Sequence, residues 1–175
     1  PGIECHTHEY IQTGQIDSKF GFDMSQIDSA VELIESKFKN LNLKGLHAHI
    51  GSQIFELKSY ADEIIILLNE LERINQKFNL KLDELNIGGG LGVKYTEEDY
   101  PPSIDEFASS LSKLREDSIK HLKIYLEPGR SIISTAGVTL YTVGSSKVTS
   151  EGKKYIAIDG GMADNPRPSL YQAKY

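Results

Sequence analysis

The sequence predicts an α/β fold built on a parallel sheet, followed by a shorter all-β region. Short apolar strands alternate with helices of more than ten residues up to about Arg130, and β-branched runs without a helix between them follow. Repeated strand-helix-strand units form either a doubly wound sheet or a (β/α) barrel, and both architectures stay open at this point.

The first helix and strand follow from apolar spacing. A Ser-x-x-Asp pair, Ser25 and Asp28, predicts a capped helix start. The apolar positions behind it recur at three- and four-residue steps: Ile27, Ala30, Val31, Ile34 and Phe38. The segment 43–50, LKGLHAHI, then predicts a strand.

Two further helix-strand pairs follow. The apolar spacing from Leu57 to Phe78 predicts a long helix, and residues 82–87 predict the next strand. After two prolines at 101–102, Ser103 and Glu106 form a capping box for a third helix. That helix is expected to bury Ile104, Phe107, Leu111 and Leu114, and residues 122–127 form the strand after it.

The pattern changes after the third strand. Residues 137–148 and 153–159 are rich in β-branched and aromatic side chains and are separated by a polar turn, which predicts an antiparallel pair. The expected domains are therefore 1–133, the α/β part, and 134–175, the beginning of a β domain.

Composition excludes several classes of protein. A net charge of −6 over 175 residues provides no basic surface for nucleic acid. No apolar run is long enough to cross a membrane, so a cytoplasmic protein without a membrane partner is expected. The single cysteine, Cys5, excludes an internal disulfide and a cysteine-based zinc site.

Three motifs follow the three predicted parallel strands, where α/β proteins place their ligand sites: HAHIGSQ (47–53), NIGGGLG (86–92) and EPGR (127–130). The glycines Gly88, Gly89 and Gly90 allow a close approach to a phosphate or another anion, although a tight turn alone would also explain them. A dinucleotide fingerprint would need a further glycine at the position of Val93, so that site is not expected.

Glu127 and Arg130 place opposite charges on the two sides of a Pro-Gly corner. Arg130 suits a phosphate or carboxylate, whereas Glu127 must pair with the arginine, a metal or a protonated ring nitrogen. The last possibility uses both charges, and pyridoxal phosphate has both an anionic phosphate and a basic pyridine nitrogen. A structural ion pair between Glu127 and Arg130 is the competing interpretation.

Two histidine pairs raise the question of a metal. His47 and His49 lie two residues apart on a strand, and His6 and His8 repeat the spacing, but no cysteine or carboxylate cluster completes a site. No metal is therefore expected, and a metal-dependent hydrolase is the lesser alternative. His49, followed by Gly51 and Ser52, suits stacking on a flat cofactor, whereas His47 is expected in the core.

Taken together, these motifs resemble those of the fold-type III pyridoxal-phosphate decarboxylases. The similarity includes TGQIDSKFGF (13–22) and DGGMADNPRPSLY (159–171), and the last stretch is most similar to the diaminopimelate branch of that family. The resemblance implies an alanine racemase-like (β/α)8 barrel, of which this chain is the C-terminal part, running into a β domain. It also implies a homodimer with shared active sites.

The resemblance assigns roles to particular residues. It places His49 on the cofactor ring, Glu127 at the pyridine nitrogen, and Ser52 with the glycines 88–90 at the phosphate. His49 and Glu127 are the expected catalytic residues. Gly129 and Arg130 belong to the expected cofactor site, and the expected substrate-binding residues are Arg130, Arg167 and Tyr171.

The reaction implied by the resemblance is decarboxylation of meso-2,6-diaminopimelate to L-lysine. Related decarboxylases of ornithine, arginine or carboxynorspermidine, and a non-catalytic homologue of the fold, are the alternatives. The lysine that binds the cofactor covalently is expected upstream of Pro1, because Lys19, Lys44 and Lys94 do not match its motif. The chain is thus expected to be an internal fragment that, alone, gives no lysine adduct upon borohydride reduction with pyridoxal phosphate.

Overall fold

The computed structural model of the chain describes residues 19–114 and 119–174. The elements within them are, in chain order, α1 (Ile27–Lys37), β1 (Gly45–His47), α2 (Leu57–Phe78), β2 (Glu84–Asn86), α3 (Ile104–Leu114), β3 (Lys123–Tyr125), α4 (Arg130–Ile133), β4 (Val143–Val148), β5 (Lys154–Ile158) and α5 (Arg167–Tyr171). None of the helices in these two ranges combines the length and apolar character needed to cross a membrane.

The predicted parallel sheet is present. Its strand order is β1-β2-β3, and both pairings are parallel. One row of the register packs against the helical core: Leu46, Leu85 and Ile124. The adjacent row carries polar side chains toward the other face: His47, Asn86 and Tyr125.

Two apolar clusters join the helices to the sheet. The larger one contains Val31 of α1, four residues of α2 and the strand residue Leu85, which is fully buried. The smaller one lies near the carboxyl ends of the strands: Ile50, Ile54, Tyr60, Leu91 and Phe107. Burial of these side chains is the main stabilising contribution, and it fixes the strand ends relative to α2 and α3.

The turn from α2 into β2 is closed by one side chain. The Asn75 amide donates to the Leu82 carbonyl at 3.0 Å, and its Oδ1 accepts from the Leu82 N–H at 2.8 Å. Asn79 ends the helix in the left-handed conformation, with φ of 53°, which asparagine tolerates better than most residues. The start of β2 is therefore set by its local sequence.

One of the two predicted helix caps is wrong. The capping box of the first helical segment is formed by Asp23 and Gln26 around the 3₁₀ turn Met24–Gln26, not by Ser25 and Asp28. Asp28 instead pairs with Arg73 and Lys77 of α2, which lower the pKa of its carboxyl to about 2. The Ser103 and Glu106 box before α3 is confirmed by reciprocal hydrogen bonds of 3.1 and 2.7 Å.

The predicted burial of Ile104 is also wrong, and Phe38 lies beyond the end of the helix to which its spacing assigned it. Ile104 is 62% exposed because it lies in the first turn of α3, and packing against α2 begins one turn later, where Phe107 meets Tyr60. Phe38 is 46% exposed because α1 ends before it, at Lys37. The strands are shorter than the apolar runs predicted, because the chain turns into glycine-containing loops beyond His47 and Asn86.

The antiparallel pair is confirmed as β4 and β5. Residues 137–142 of the predicted run lie outside the strands, and a register shift falls between Val143 and Ser146. The short helices α4 and α5 were not predicted, although they carry Arg130 and Arg167. Helices of four or five residues are too short to show apolar periodicity.

Glu63 of α2 makes stability depend on pH. Its side chain is fully buried, neither carboxylate oxygen has a hydrogen-bond partner within the described ranges, and burial raises its pKa from 4.5 to about 8. The folded protein therefore holds a proton that the unfolded chain has released. We expect the free energy of unfolding to fall between pH 4.5 and about pH 8, at most on the order of 1.4 kcal/mol per pH unit, and to level off above that range.

Urea unfolding at several pH values measures this effect. Glu63→Gln is expected to remove the contribution of this group to the slope. Asp62→Asn is the matched control, because Asp62 is the neighbouring carboxylate on α2 and its side chain is 43% exposed. An unchanged pH profile in Glu63→Gln would show that the carboxyl is not protonated in the folded protein.

Candidate functional site

The loops that follow β1, β2 and β3 meet at one edge of the sheet. The Gly89 N–H donates to His49 Nδ1 at 3.2 Å, and the Glu127 N–H donates to the Gly88 carbonyl at 2.7 Å. A hydrogen bond of 2.9 Å from Ile54 to the Gly90 carbonyl joins the first two loops again. The three motifs singled out in the sequence are therefore in direct contact.

The glycines allow this convergence. A Cβ at Gly89 would lie 2.0 Å from the Glu127 carbonyl oxygen, and one at Gly90 would lie 2.0 Å from the Gly51 carbonyl oxygen. Gly88 and Gly90 also have φ of 63° and 93°, which side chains rarely adopt. In contrast, nothing lies within 4 Å of a Cβ added to Gly129, so packing does not require a glycine at the Pro-Gly corner.

The amides of this loop are not equally available for an anion. The Gly88 N–H donates to Asn86 Oδ1 at 2.9 Å, and the Gly89 N–H is used by His49. Within the described ranges, no hydrogen bond engages the Gly90 N–H. Of the three predicted donors, Gly90 is therefore the one with its amide available for an external oxygen.

Glu127 is held by a residue that sequence reasoning did not single out. Its Oε1 accepts a hydrogen bond from the Asn86 amide at 2.7 Å and lies 3.7 Å from His47 Nε2. The Glu127 side chain remains 54% exposed, so its carboxylate is both oriented and accessible. Asn86 lies within the quoted NIGGGLG motif, but only the parallel register reveals that it faces the same way as the end of β3.

The prediction that His47 is a core residue is wrong. Its side chain is 53% exposed and lies beside Glu127, on the polar face of the sheet. The two-residue spacing predicted that His47 and His49 share one side of the chain. It did not indicate that the apolar core lies on the opposite side, with Leu46.

The surroundings of His49 favour its neutral form. Partial burial lowers the pKa of its imidazole, the charge of His47 lowers it further, and the Glu127 carboxylate partly opposes both. Since Nδ1 accepts the Gly89 N–H, the neutral ring carries its proton on Nε2. An uncharged ring with a fixed orientation is suited to stacking on a flat ligand.

Glu127 and Arg130 do not neutralise each other. The ion pairs of the described ranges include none between these two side chains, and Arg130 Nη1 is buried without a hydrogen-bond partner. A buried guanidinium nitrogen without an acceptor is unfavourable, and an anionic ligand would satisfy it. The competing interpretation of a structural Glu–Arg pair is therefore not supported.

The remaining predicted residues come from α5. Arg167 begins this helix and the half-buried Tyr171 ends it. The Arg167 Cζ lies 5.1 Å from the centroid of the Tyr95 ring, and the Arg130 Cζ lies 5.9 Å from the same centroid. The structure thus brings the two predicted anion-binding arginines together at a tyrosine that the sequence did not indicate.

Two side chains brace the loops behind the site. Gln53 accepts the Val93 N–H at 3.0 Å and donates to the Val93 carbonyl at 2.9 Å, which joins the loops after β1 and β2. The Tyr60 hydroxyl donates to the Gly89 carbonyl at 3.1 Å from its buried position on α2. Ser52 lies half-buried between Gly51 and Gln53 in the same loop.

No group of three or more potential metal ligands occurs in residues 19–114 and 119–174. His6 and His8, which the alternative metal site requires, lie outside these ranges, as do Cys5 and residues 13–18 of the first family motif. Within the described ranges, His47 lies beside Glu127 and His49 accepts the Gly89 N–H.

The comparisons with known proteins agree on one family. Residues 1–134 match the pyridoxal binding domain of the pyridoxal-dependent decarboxylases. The whole chain is 49% identical to diaminopimelate decarboxylase from Synechocystis over 38% of that protein, and 42% identical to the Bacillus subtilis enzyme over 41% of its length. The chain therefore spans less than half of these curated relatives.

Solved structures give the same result. A crystal structure of diaminopimelate decarboxylase from Helicobacter pylori complexed with L-lysine superposes on this chain with a TM-score of 0.83 at 30% identity. The match covers 100% of this chain and 42% of the Helicobacter pylori chain. Lysine/ornithine decarboxylase from Vibrio vulnificus complexed with cadaverine matches with a TM-score of 0.76 at 26% identity, over 90% of this chain and 41% of that one. This chain belongs to the pyridoxal-dependent decarboxylase family, and its residues 1–134 match the pyridoxal binding domain of that family.

Proposed function

We propose that the protein containing this chain decarboxylates meso-2,6-diaminopimelate to L-lysine. The observation that carries the proposal is that two opposite charges follow β3 without pairing with each other. Asn86 holds Glu127, and Arg130 has a buried nitrogen for which the described residues provide no acceptor. The names of the curated relatives, at up to 49% identity, support the choice of substrate.

The residues present fit pyridoxal phosphate. Arg130 offers a buried guanidinium nitrogen that needs an anionic acceptor, and Gly90 offers an amide N–H. Glu127 offers an accessible carboxylate, and His49 offers a neutral ring. A phosphate, a basic nitrogen and a flat ring are the three features that this set can recognise.

In this proposal the site residues divide the recognition of the cofactor and the substrate among them. Glu127 keeps a proton on the pyridine nitrogen, and the Asn86 hydrogen bond orients the Glu127 carboxylate toward that nitrogen. His49 stacks on the ring, while Ser52, the glycine loop 88–90 and the corner at Gly129 surround the phosphate. Arg130 binds the phosphate or a substrate carboxylate, and Arg167 and Tyr171 of α5 bind the amino acid.

When bound, pyridoxal phosphate supplies the conjugated ring that takes up the electron pair left by the departing carboxylate. The chain's contribution is orientation and charge. A carboxylate beside the ring nitrogen favours its protonated form, which makes the ring a better electron acceptor. Arginines fix the substrate so that one carboxylate is in position to leave.

The larger architecture is also part of the proposal. Three parallel strands in consecutive order, without a reversal, support a (β/α)8 barrel over residues 1–133, and the antiparallel hairpin supports the beginning of a β domain over 134–175. We further propose a cytoplasmic homodimer with shared active sites, as the resemblance to this decarboxylase family implies.

Decarboxylation of another basic amino acid is the second candidate, supported by the similarity to a lysine/ornithine decarboxylase. Full-length protein supplied with pyridoxal phosphate should release carbon dioxide from meso-diaminopimelate and form L-lysine. Ornithine, arginine and lysine are assayed in parallel as comparison substrates. Faster release from any of these three would replace the proposed substrate, and no release from all four would refute the function.

A further inference from the structure

The ring of Tyr95 contacts both of the arginines assigned to ligand binding. Arg130 belongs to α4, directly after β3, and Arg167 belongs to α5, after the β4-β5 hairpin. Their guanidinium carbons lie 5.9 and 5.1 Å from the same ring centroid, within the range of cation–π attraction. Three segments that are distant in sequence therefore meet at one aromatic ring.

We propose that Tyr95 is a positioning residue that holds Arg130 and Arg167 together as one binding unit for the carboxylate of the bound amino acid. This inference rests on the proposed function. Cation–π attraction acts between the positive charge and the face of the ring, and it uses none of the hydrogen-bond donors of a guanidinium. The ring can thus orient both groups by an attraction that does not compete with hydrogen bonds to an anion.

The positive charges of Arg130 and Arg167 explain why an aromatic ring is needed at position 95. Two guanidinium groups beside one residue repel each other, and the negative face of an aromatic ring reduces that repulsion. A carboxylate ligand reduces it further by accepting hydrogen bonds from both groups. An aliphatic side chain at position 95 would fill space but would provide no attraction for either cation.

The backbone at Tyr95 is fixed by a local turn. Asp99 Oδ2 accepts the N–H groups of Thr96 and Tyr95 at 2.8 and 2.9 Å, and these bonds lower the pKa of the Asp99 carboxyl. The Asp99 N–H donates in return to the Thr96 carbonyl at 3.2 Å. The ring is therefore attached to a closed turn, as a positioning role requires.

The test uses the full-length enzyme with its cofactor and has two readouts: L-lysine binding by calorimetry, and the KM and kcat for meso-diaminopimelate. Tyr95→Leu should weaken L-lysine binding and raise KM by about tenfold, with a much smaller change in kcat. Tyr95→Phe, which retains the ring, should behave like the wild type. Tyr100→Leu is the matched control, since Tyr100 lies in the same loop and is 82% exposed.

Asp99→Ala provides a second variant that leaves the ring in place and releases its turn. It should weaken L-lysine binding relative to the wild type, though less than a folded Tyr95→Leu does. The comparison with the wild type decides the matter if Tyr95→Leu fails to fold. The positioning role would be overturned if Tyr95→Leu bound L-lysine as tightly as the wild type does. If Tyr95→Leu does not fold, the same result in Asp99→Ala would overturn it. A wild-type enzyme that neither binds L-lysine nor acts on meso-diaminopimelate would instead refute the proposed function itself.

Discussion

Glu127→Gln is expected to lower the kcat of the full-length enzyme by about 10²-fold or more without unfolding it. The amide that replaces the carboxylate cannot stabilise a positive charge on the ring nitrogen. It can still accept the hydrogen bond from Asn86, so the local geometry should remain. Steady-state kinetics together with thermal unfolding of the same variant measure both parts of this expectation.

The matched control is Glu84→Gln. Glu84 begins β2, at the other end of the strand from Asn86, and its carboxylate pairs with Lys123. Removing the same charge there should leave kcat unchanged. Equal losses of activity in the two variants would mean that overall charge, and not the position of Glu127, controls the reaction.

Gly89→Ala is expected to destabilise the protein by about 3 kcal/mol or more and to weaken cofactor binding. The added methyl group would lie 2.0 Å from the Glu127 carbonyl oxygen, so the loops after β2 and β3 would have to separate. Their separation would also disturb the Gly89 hydrogen bond to His49 and the hydrogen bond from Glu127 to Gly88.

Urea unfolding and a pyridoxal-phosphate titration measure these two losses. Gly137→Ala is the control, because nothing lies within 4 Å of a Cβ added there. The contact at Gly89 is with backbone, which cannot rotate away as a side chain would. A Gly89→Ala protein as stable as Gly137→Ala would show that the strand ends are not packed as closely as described.

Local patterns predicted the elements of this fold well. Helix α3 and its Ser103–Glu106 box were predictable because every partner lies within a few residues. The first cap was assigned wrongly because Asp23 competes with Ser25 for the same helix start. Apolar periodicity also gave no indication of Glu63, since a single carboxylate among buried residues leaves the pattern of α2 intact.

The site was predictable only in part, for a different reason. Consecutive parallel strands end at the same edge of a sheet, and this rule correctly brought His49, Gly88 and Glu127 together. Partners across the sheet or between distant loops follow no such rule. Asn86 beside Glu127 and Tyr95 beside Arg167 emerge only from three-dimensional contacts.

The protonation state of the cofactor's ring nitrogen tests the central claim most directly. Pyridoxal phosphate isotopically labelled at that nitrogen can be bound to the full-length enzyme and observed by NMR. The arrangement of Glu127 predicts a protonated nitrogen in the wild type and an unprotonated one in Glu127→Gln. The same protonation state in both proteins would contradict the assignment of Glu127 to the cofactor.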